Sequence, residues 1–139
     1  MQISASLINK KNVNAVVLKT DTHTHSISIP PQKNGFGSSA GGGELLFLAL
    51  ASCYCNDIYR EAGRQGIEIE SVEIEVEGEL DSDNLSESNI LYSASVKAKA
   101  KREVIIELIN LTDKVTEIHK TLRAGVPVTL VNAEAVSTA

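Results

Sequence analysis

Two cysteines, no apolar run of membrane-spanning length and no concentrated basic face set the first limits on this chain. Cys53 and Cys55 lie two apart in a segment that reads as a helix. Residues i and i+2 of a helix project about 200° apart, so a disulfide between them would require unwinding. Both are expected to be free thiols. Cys and His are too few and too dispersed for a structural zinc site, and neither metal nor cofactor is expected. The thirteen Lys and Arg are scattered apart from Lys97, Lys99, Lys101 and Arg102, and the formal net charge is -5. That argues against a nucleic-acid footprint, which needs a basic face. No apolar run approaches the ~18 residues of a membrane span. The opening Met-Gln-Ile-Ser lacks the basic and then apolar pattern of a secretory leader, so a cytoplasmic, reducing address is the expectation. Arginine is absent before Arg60, and there are no internal repeats.

What is present is an ordinary globular composition: 139 residues, 42% hydrophobic and 22% charged. This suits one domain over residues 1–139 with a real core. Ile3, Ala5 and Leu7 alternate with polar residues, Val13 to Lys19 is β-branched and apolar, and Ile27 and Ile29 alternate with Ser. These predict three short strands. The stretch PPQKNGFGSSAGGG, residues 30–43, is a loop, long enough to be either functional or a flexible surface connection. Its glycines do not form a dinucleotide fingerprint, because their spacing is wrong and no βαβ unit surrounds them.

Glu44 to Gln65 predicts a helix stopped by Gly66. Its first half, ELLFLALASCYC, is apolar on nearly every face. Its second half carries Asn56, Asp57, Arg60, Glu61 and Arg64 and is expected to emerge into water. In IEIESVEIEVEGEL the alternation changes phase at Ser71-Val72, predicting a strand start or a bulge there. Alternation from Ile90 to Ala100 predicts a long half-buried strand in an antiparallel hairpin with its predecessor, Lys97, Lys99 and Lys101 forming its solvated face. Val104 to Leu122 predicts one broken helix or two, stopped at Ala124-Gly125, and Val126 to Val131 a closing strand. Segregated runs of this kind indicate an α+β fold. A helix apolar all round needs cover that so few strands cannot give, so a homodimer with two such helices at its centre, enclosed by sheets, is expected.

The segment GGGELLFLALASC, a Gly-rich loop followed by Glu, a Leu/Ala run and a Cys nine residues after the Glu, resembles the signature of the OsmC/Ohr family. GIEIESVEIEVEGEL and TLRAGVPVTL are similar to that family's next strand and C-terminal segment. The resemblance implies an intertwined homodimer with two central helices wrapped by antiparallel sheets. It also implies reduction of organic hydroperoxides by the helix Cys, matched here by Cys53. In the family a second Cys resolves the oxidised thiol, and an Arg with a Glu poises it. This chain has Thr116 where the second Cys would fall. It has no Arg in the N-terminal strands, and Gly43 stands at the family's Glu position, with Glu44 one residue later.

Cys53 is therefore either a peroxidatic thiol recycled by an external thiol reductant, or a small core residue in a non-catalytic protein that binds a small apolar ligand. Its thiolate would need a cation or dipole to offset apolar surroundings. Glu44 is either a partner to that thiol or a favourable acidic residue in the first helical turn. Nine residues of one helix span about 13 Å, so Glu44 and Cys53 could meet only across subunits. Cys55 reads as core or interface, His23 and His25 as surface histidines on one strand face, and His119 as an exposed helical residue near Thr116.

Overall fold

The computed structural model describes residues 1–138. Two compact units divide the chain, Met1–Phe47 and Leu48–Ala139. The first holds an antiparallel sheet of β1 (Ile3–Lys10), β2 (Val13–Thr20) and β3 (His23–Ser26) in sequence order. The β1–β2 turn uses Asn12 at φ 69° and the β2–β3 turn uses Asp21 at φ 50°. Both are residue types that tolerate the left-handed region.

The third strand lies earlier than the alternation of Ile27 and Ile29 indicates. The tight turn at Asp21 pairs Thr20 with His23 at once, and the ladder ends at Val17 with Ser26. Beyond it the backbone is satisfied differently: Asn14 Nδ2 donates to the Ile29 carbonyl at 3.1 Å and to the Gly37 carbonyl at 2.8 Å. Together with Asn12 N–H on the Gly35 carbonyl at 2.7 Å, these bonds pin the 30–43 loop to the first hairpin. His23 and His25 are exposed, as expected.

Helix α1 spans Gly42–Arg64 and ends in a Schellman motif. Gly66 sits at φ 67°, its N–H donates to the Gly63 carbonyl, and the Ile67 N–H donates to the Ala62 carbonyl. Only a residue at ease with positive φ closes a helix this way, which is why the glycine stops it.

In the second unit α1 packs with a two-stranded antiparallel sheet, β4 (Ile69–Glu79) and β5 (Asn89–Ala98). The pairing register shifts between Ile69 and Ser71, the bulge that the change of phase predicted. It lets Ile69 and Val72, three residues apart, both pack on the core with Ile67 and Ile74. Gly78 is required by close approach, because any Cβ there would run into the Asn89 carbonyl of β5. Helices α2 (Arg102–Val115) and α3 (Glu117–Ala124) complete the unit, with Gly125 at φ 63° capping α3. The core is Tyr54, Ile58 and Ala62 of α1 with Leu108 of α2.

Two further expectations change. Val126 to Val131 forms no strand: no ladder pairs it among the described residues, and Val128, Leu130 and Val131 are almost fully exposed. Pro127 also removes a backbone donor. The polar half of α1 does not simply emerge into water, since Asp57 and Glu61 are each only 6% exposed. Their charges are covered by arginines from the same helix, Arg60 on Asp57 at 2.8 Å and Arg64 on Glu61 at 2.8 Å. No helix among the described residues is long and apolar enough to cross a membrane.

Candidate functional site

Cys53 occupies the middle of α1, half-buried, with its thiol donating to Asp57 Oδ2 at 3.8 Å. The i, i+4 spacing places these two side chains on one helix face. Asp57 divides its oxygens: Oδ1 takes the Arg60 guanidinium and Oδ2 faces the sulfur. Burial pushes the Cys53 pKa up, and the carboxylates of Asp57 and Glu117 push the same way. A hydrogen bond from the Ile118 backbone N–H pulls it down. Ile118 is in the first turn of α3, where amide groups have no partner within the helix. The upward influences prevail, so at rest Cys53 is a protonated thiol.

Thr116, the residue at the expected position of a resolving cysteine, is fully buried at the α2–α3 junction. Its hydroxyl donates to the Thr112 carbonyl at 2.7 Å, as the Thr112 hydroxyl does to the Leu108 carbonyl at 2.8 Å. Cys55, the second free thiol, is half-buried on α1.

Glu44 belongs to the first unit. Its Oε1 accepts the Gly41 N–H at 3.2 Å, while the Gly41 carbonyl accepts the Leu45 N–H at 3.0 Å. This is the Glu half of a capping box, a sufficient structural reason for an acidic residue at that position.

His119 departs from the exposed position expected for it. It is 5% exposed, packed edge-on against Tyr92 with ring centroids 4.8 Å apart, and 6.1 Å from Tyr54. Neither ring nitrogen has a hydrogen-bond partner. Burial, and then the Arg123 charge, hold its pKa below the usual imidazole value. Beside it runs a polar chain: the Tyr92 hydroxyl donates to Asp113 Oδ1, which also accepts Arg123 Nη2 at 2.8 Å. The Tyr92 hydrogen bond, with Arg123 behind it, keeps the Asp113 carboxyl below its ordinary value. Burial raises the Tyr54 phenol to about 12, and its hydroxyl donates to the Ile109 carbonyl at 2.9 Å. His119, Tyr92 and Arg123 line a largely apolar cleft of about 270 Å³ with Leu50, Ile90 and Leu122.

The sequence pointed to Cys53 but not to Asp57 or to the buried state of His119. The Cys-x-x-x-Asp spacing was the available signal for the first. Nothing local signals the second, because Tyr54 and Tyr92 come from other elements.

The profile of the OsmC-like protein family matches residues 35–131. No curated protein matches the chain. Among solved structures, an OsmC-like protein from Mycoplasma pneumoniae superposes with a TM-score of 0.64 at 17% identity, covering 88% of each chain. An organic hydroperoxide resistance protein OsmC from Legionella pneumophila gives 0.57 at 16% identity, covering 88% of this chain and 90% of that one. The organic hydroperoxide resistance protein OhrB of Bacillus subtilis gives 0.54 at 19%, covering 88% and 91%. These likenesses establish the α+β fold with its antiparallel sheets.

Proposed function

Since this chain belongs to the OsmC-like protein family, we propose that it is a thiol-dependent redox protein that reduces small organic hydroperoxides through Cys53, without an internal resolving cysteine. The observation that carries this reading is the setting of the sulfur. Cys53 is half-buried rather than sealed, and an amide N–H and a carboxylate meet it in place of an all-aliphatic wall. Names borne by the Legionella and Bacillus proteins, both organic hydroperoxide resistance proteins, supply the substrate class.

In this reading the sulfur takes the terminal oxygen of the peroxide and becomes a sulfenic acid, and the alcohol leaves. Two external thiols then return it to the thiol, releasing water and their own disulfide. Thr116 offers no sulfur for an internal route. The test is consumption of cumene hydroperoxide with dithiothreitol as reductant. Wild type should turn over and Cys53→Ser should not. Equal rates refute the proposal.

The protein acts as a homodimer. Leu48 on α1 is 63% exposed, and Ile3 and Ile8 on β1 are 64% and 60% exposed in the single chain. Large apolar side chains left bare in such numbers call for cover. Sedimentation should report twice the 14.9 kDa chain mass. A monomer at micromolar concentration would overturn this part.

A second reading rests on the cleft beside His119 and on the upward-shifted thiol: a non-catalytic protein binding a small apolar ligand. Under it, Cys53→Ala retains ligand binding, and no hydroperoxide is consumed by wild type.

A further inference from the structure

A peroxidatic cysteine usually works as a thiolate, yet among the described residues the charged side chains that act most on the Cys53 thiol are carboxylates, Asp57 from its own helix and Glu117 from α3. Against them stands the uncharged Ile118 N–H, which pulls the other way. Such a site gives up its proton to solvent reluctantly. If the thiol is to react, the proton needs a place to go within the site.

The geometry provides one. Asp57 is 6% exposed, Arg60 holds its Oδ1 at 2.8 Å, and its Oδ2 lies 3.8 Å from Cys53 Sγ. One oxygen is committed to the guanidinium and the other is left facing sulfur. Cys53, Asp57 and Arg60 stand at i, i+4 and i+7 on α1, a rigid element that fixes their order. No other carboxylate hydrogen-bonds this sulfur among the described residues.

Resting on the proposed hydroperoxide chemistry, we infer that Asp57 is its catalytic acid–base. Oδ2 takes the Cys53 proton as Sγ attacks the terminal oxygen of the hydroperoxide, and then gives it to the departing alkoxide. The S–O bond forms as the O–O bond breaks, and the sulfur supplies the two electrons. The products are Cys53 sulfenic acid, the alcohol and an unprotonated Asp57. One carboxylate thus serves as base and acid in a single turnover without a free thiolate accumulating.

The pH profile separates this role from a structural one. The reacting form, thiol with carboxylate, is the resting form, so the rate of Cys53 oxidation in wild type should be nearly flat between pH 6 and 8. Asp57→Asn is isosteric but cannot take the proton. It must ionise its thiol into solvent, so its rate should rise about tenfold per pH unit. General acid–base catalysis is worth about 10²–10⁴-fold, so Asp57→Asn should be at least ~100-fold slower than wild type at pH 6 and converge on it in alkaline solution. That convergence also shows that the variant site is intact.

The charged or titratable groups around the pair, Arg60 with the Glu61 that shares it, Glu117 and the neutral His119, are the same in both proteins. Stopped-flow oxidation by cumene hydroperoxide, followed by loss of titratable thiol, gives the rates. A variant that keeps the flat profile, or is slowed equally at every pH, overturns the role of Asp57 while leaving Cys53 chemistry standing. Cys53→Ser consuming peroxide as wild type does would remove the underlying reading itself.

Discussion

His119 makes the stability of this protein depend on pH in a way that one substitution should erase. The ring is 5% exposed and neither nitrogen has a partner, so charging it inside the fold is costly. Its pKa in the fold is below the ordinary 6.5. The unfolded chain, with the ordinary value, binds a proton first as pH falls, and that favours unfolding. Stability is therefore full above about pH 6.5 and declines as pH drops towards the folded value. If the folded ring stays neutral throughout, linkage limits the loss between pH 7.5 and 5.5 to about 1.4 kcal/mol. With urea slopes of about 1–3 kcal/mol per M, the midpoint should fall by up to roughly 0.5–1.4 M.

Urea unfolding of wild type and His119→Leu at both pH values measures this directly. The exposed His23 and His25 are common to both proteins and cancel in the comparison. The weakening associated with Asp113 lies lower, because its carboxyl sits below the ordinary carboxylate value. Wild type should lose stability over this interval, and the variant should lose clearly less. Equal losses in the two proteins would refute the claim that a buried, unpaired, neutral imidazole is present.

Leu108→Ala empties a fully buried position in the cluster with Tyr54, Ile58 and Ala62 and should cost about 2–5 kcal/mol in chemical unfolding; a change below about 1 kcal/mol would mean that Leu108 is not part of the core. Tyr54→Phe removes the donor to the Ile109 carbonyl and should cost about 0.5–1.5 kcal/mol, with no loss meaning that the hydroxyl is bonded to water. Gly78→Ala forces a methyl group against the Asn89 carbonyl and should cost about 1–3 kcal/mol. A neutral result in thermal unfolding would show that β4 and β5 are paired differently there.

Much of the architecture was legible because its signals are local. A long apolar segment followed by Gly66 marked α1, and the observed bounds, Gly42–Arg64, differ from the expected Glu44 to Gln65 only at the ends. The change of phase at Ser71-Val72 marked the bulge, since alternation has a period of two and cannot skip a residue silently. The third strand was misplaced because register there follows the turn at Asp21 and not the apolar alternation that comes after it. Val126 to Val131 has strand composition, but a strand also needs a partner edge, which composition does not report.

The site was less legible than the fold. Cys53 emerged from its helix and its family resemblance. Asp57 looked like a solvent-facing charge, because periodicity cannot tell that Arg60, one turn later, folds back over it. His119 looked exposed for a similar reason. Its cover comes from Tyr54 and Tyr92, distant in sequence and brought together only by packing. Glu44 was read as either thiol partner or first-turn residue, and its bond to the Gly41 N–H gives it the second role at least.

Whether the sulfur of Cys53 accepts oxygen from a peroxide decides the proposed function. Treating the reduced protein with one equivalent of cumene hydroperoxide in the presence of dimedone, and mapping the adduct by peptide mass spectrometry, answers this directly. Dimedone is expected on Cys53, with Cys55 unmodified. An unmodified Cys53 after excess hydroperoxide, with both thiols still titratable, would contradict it.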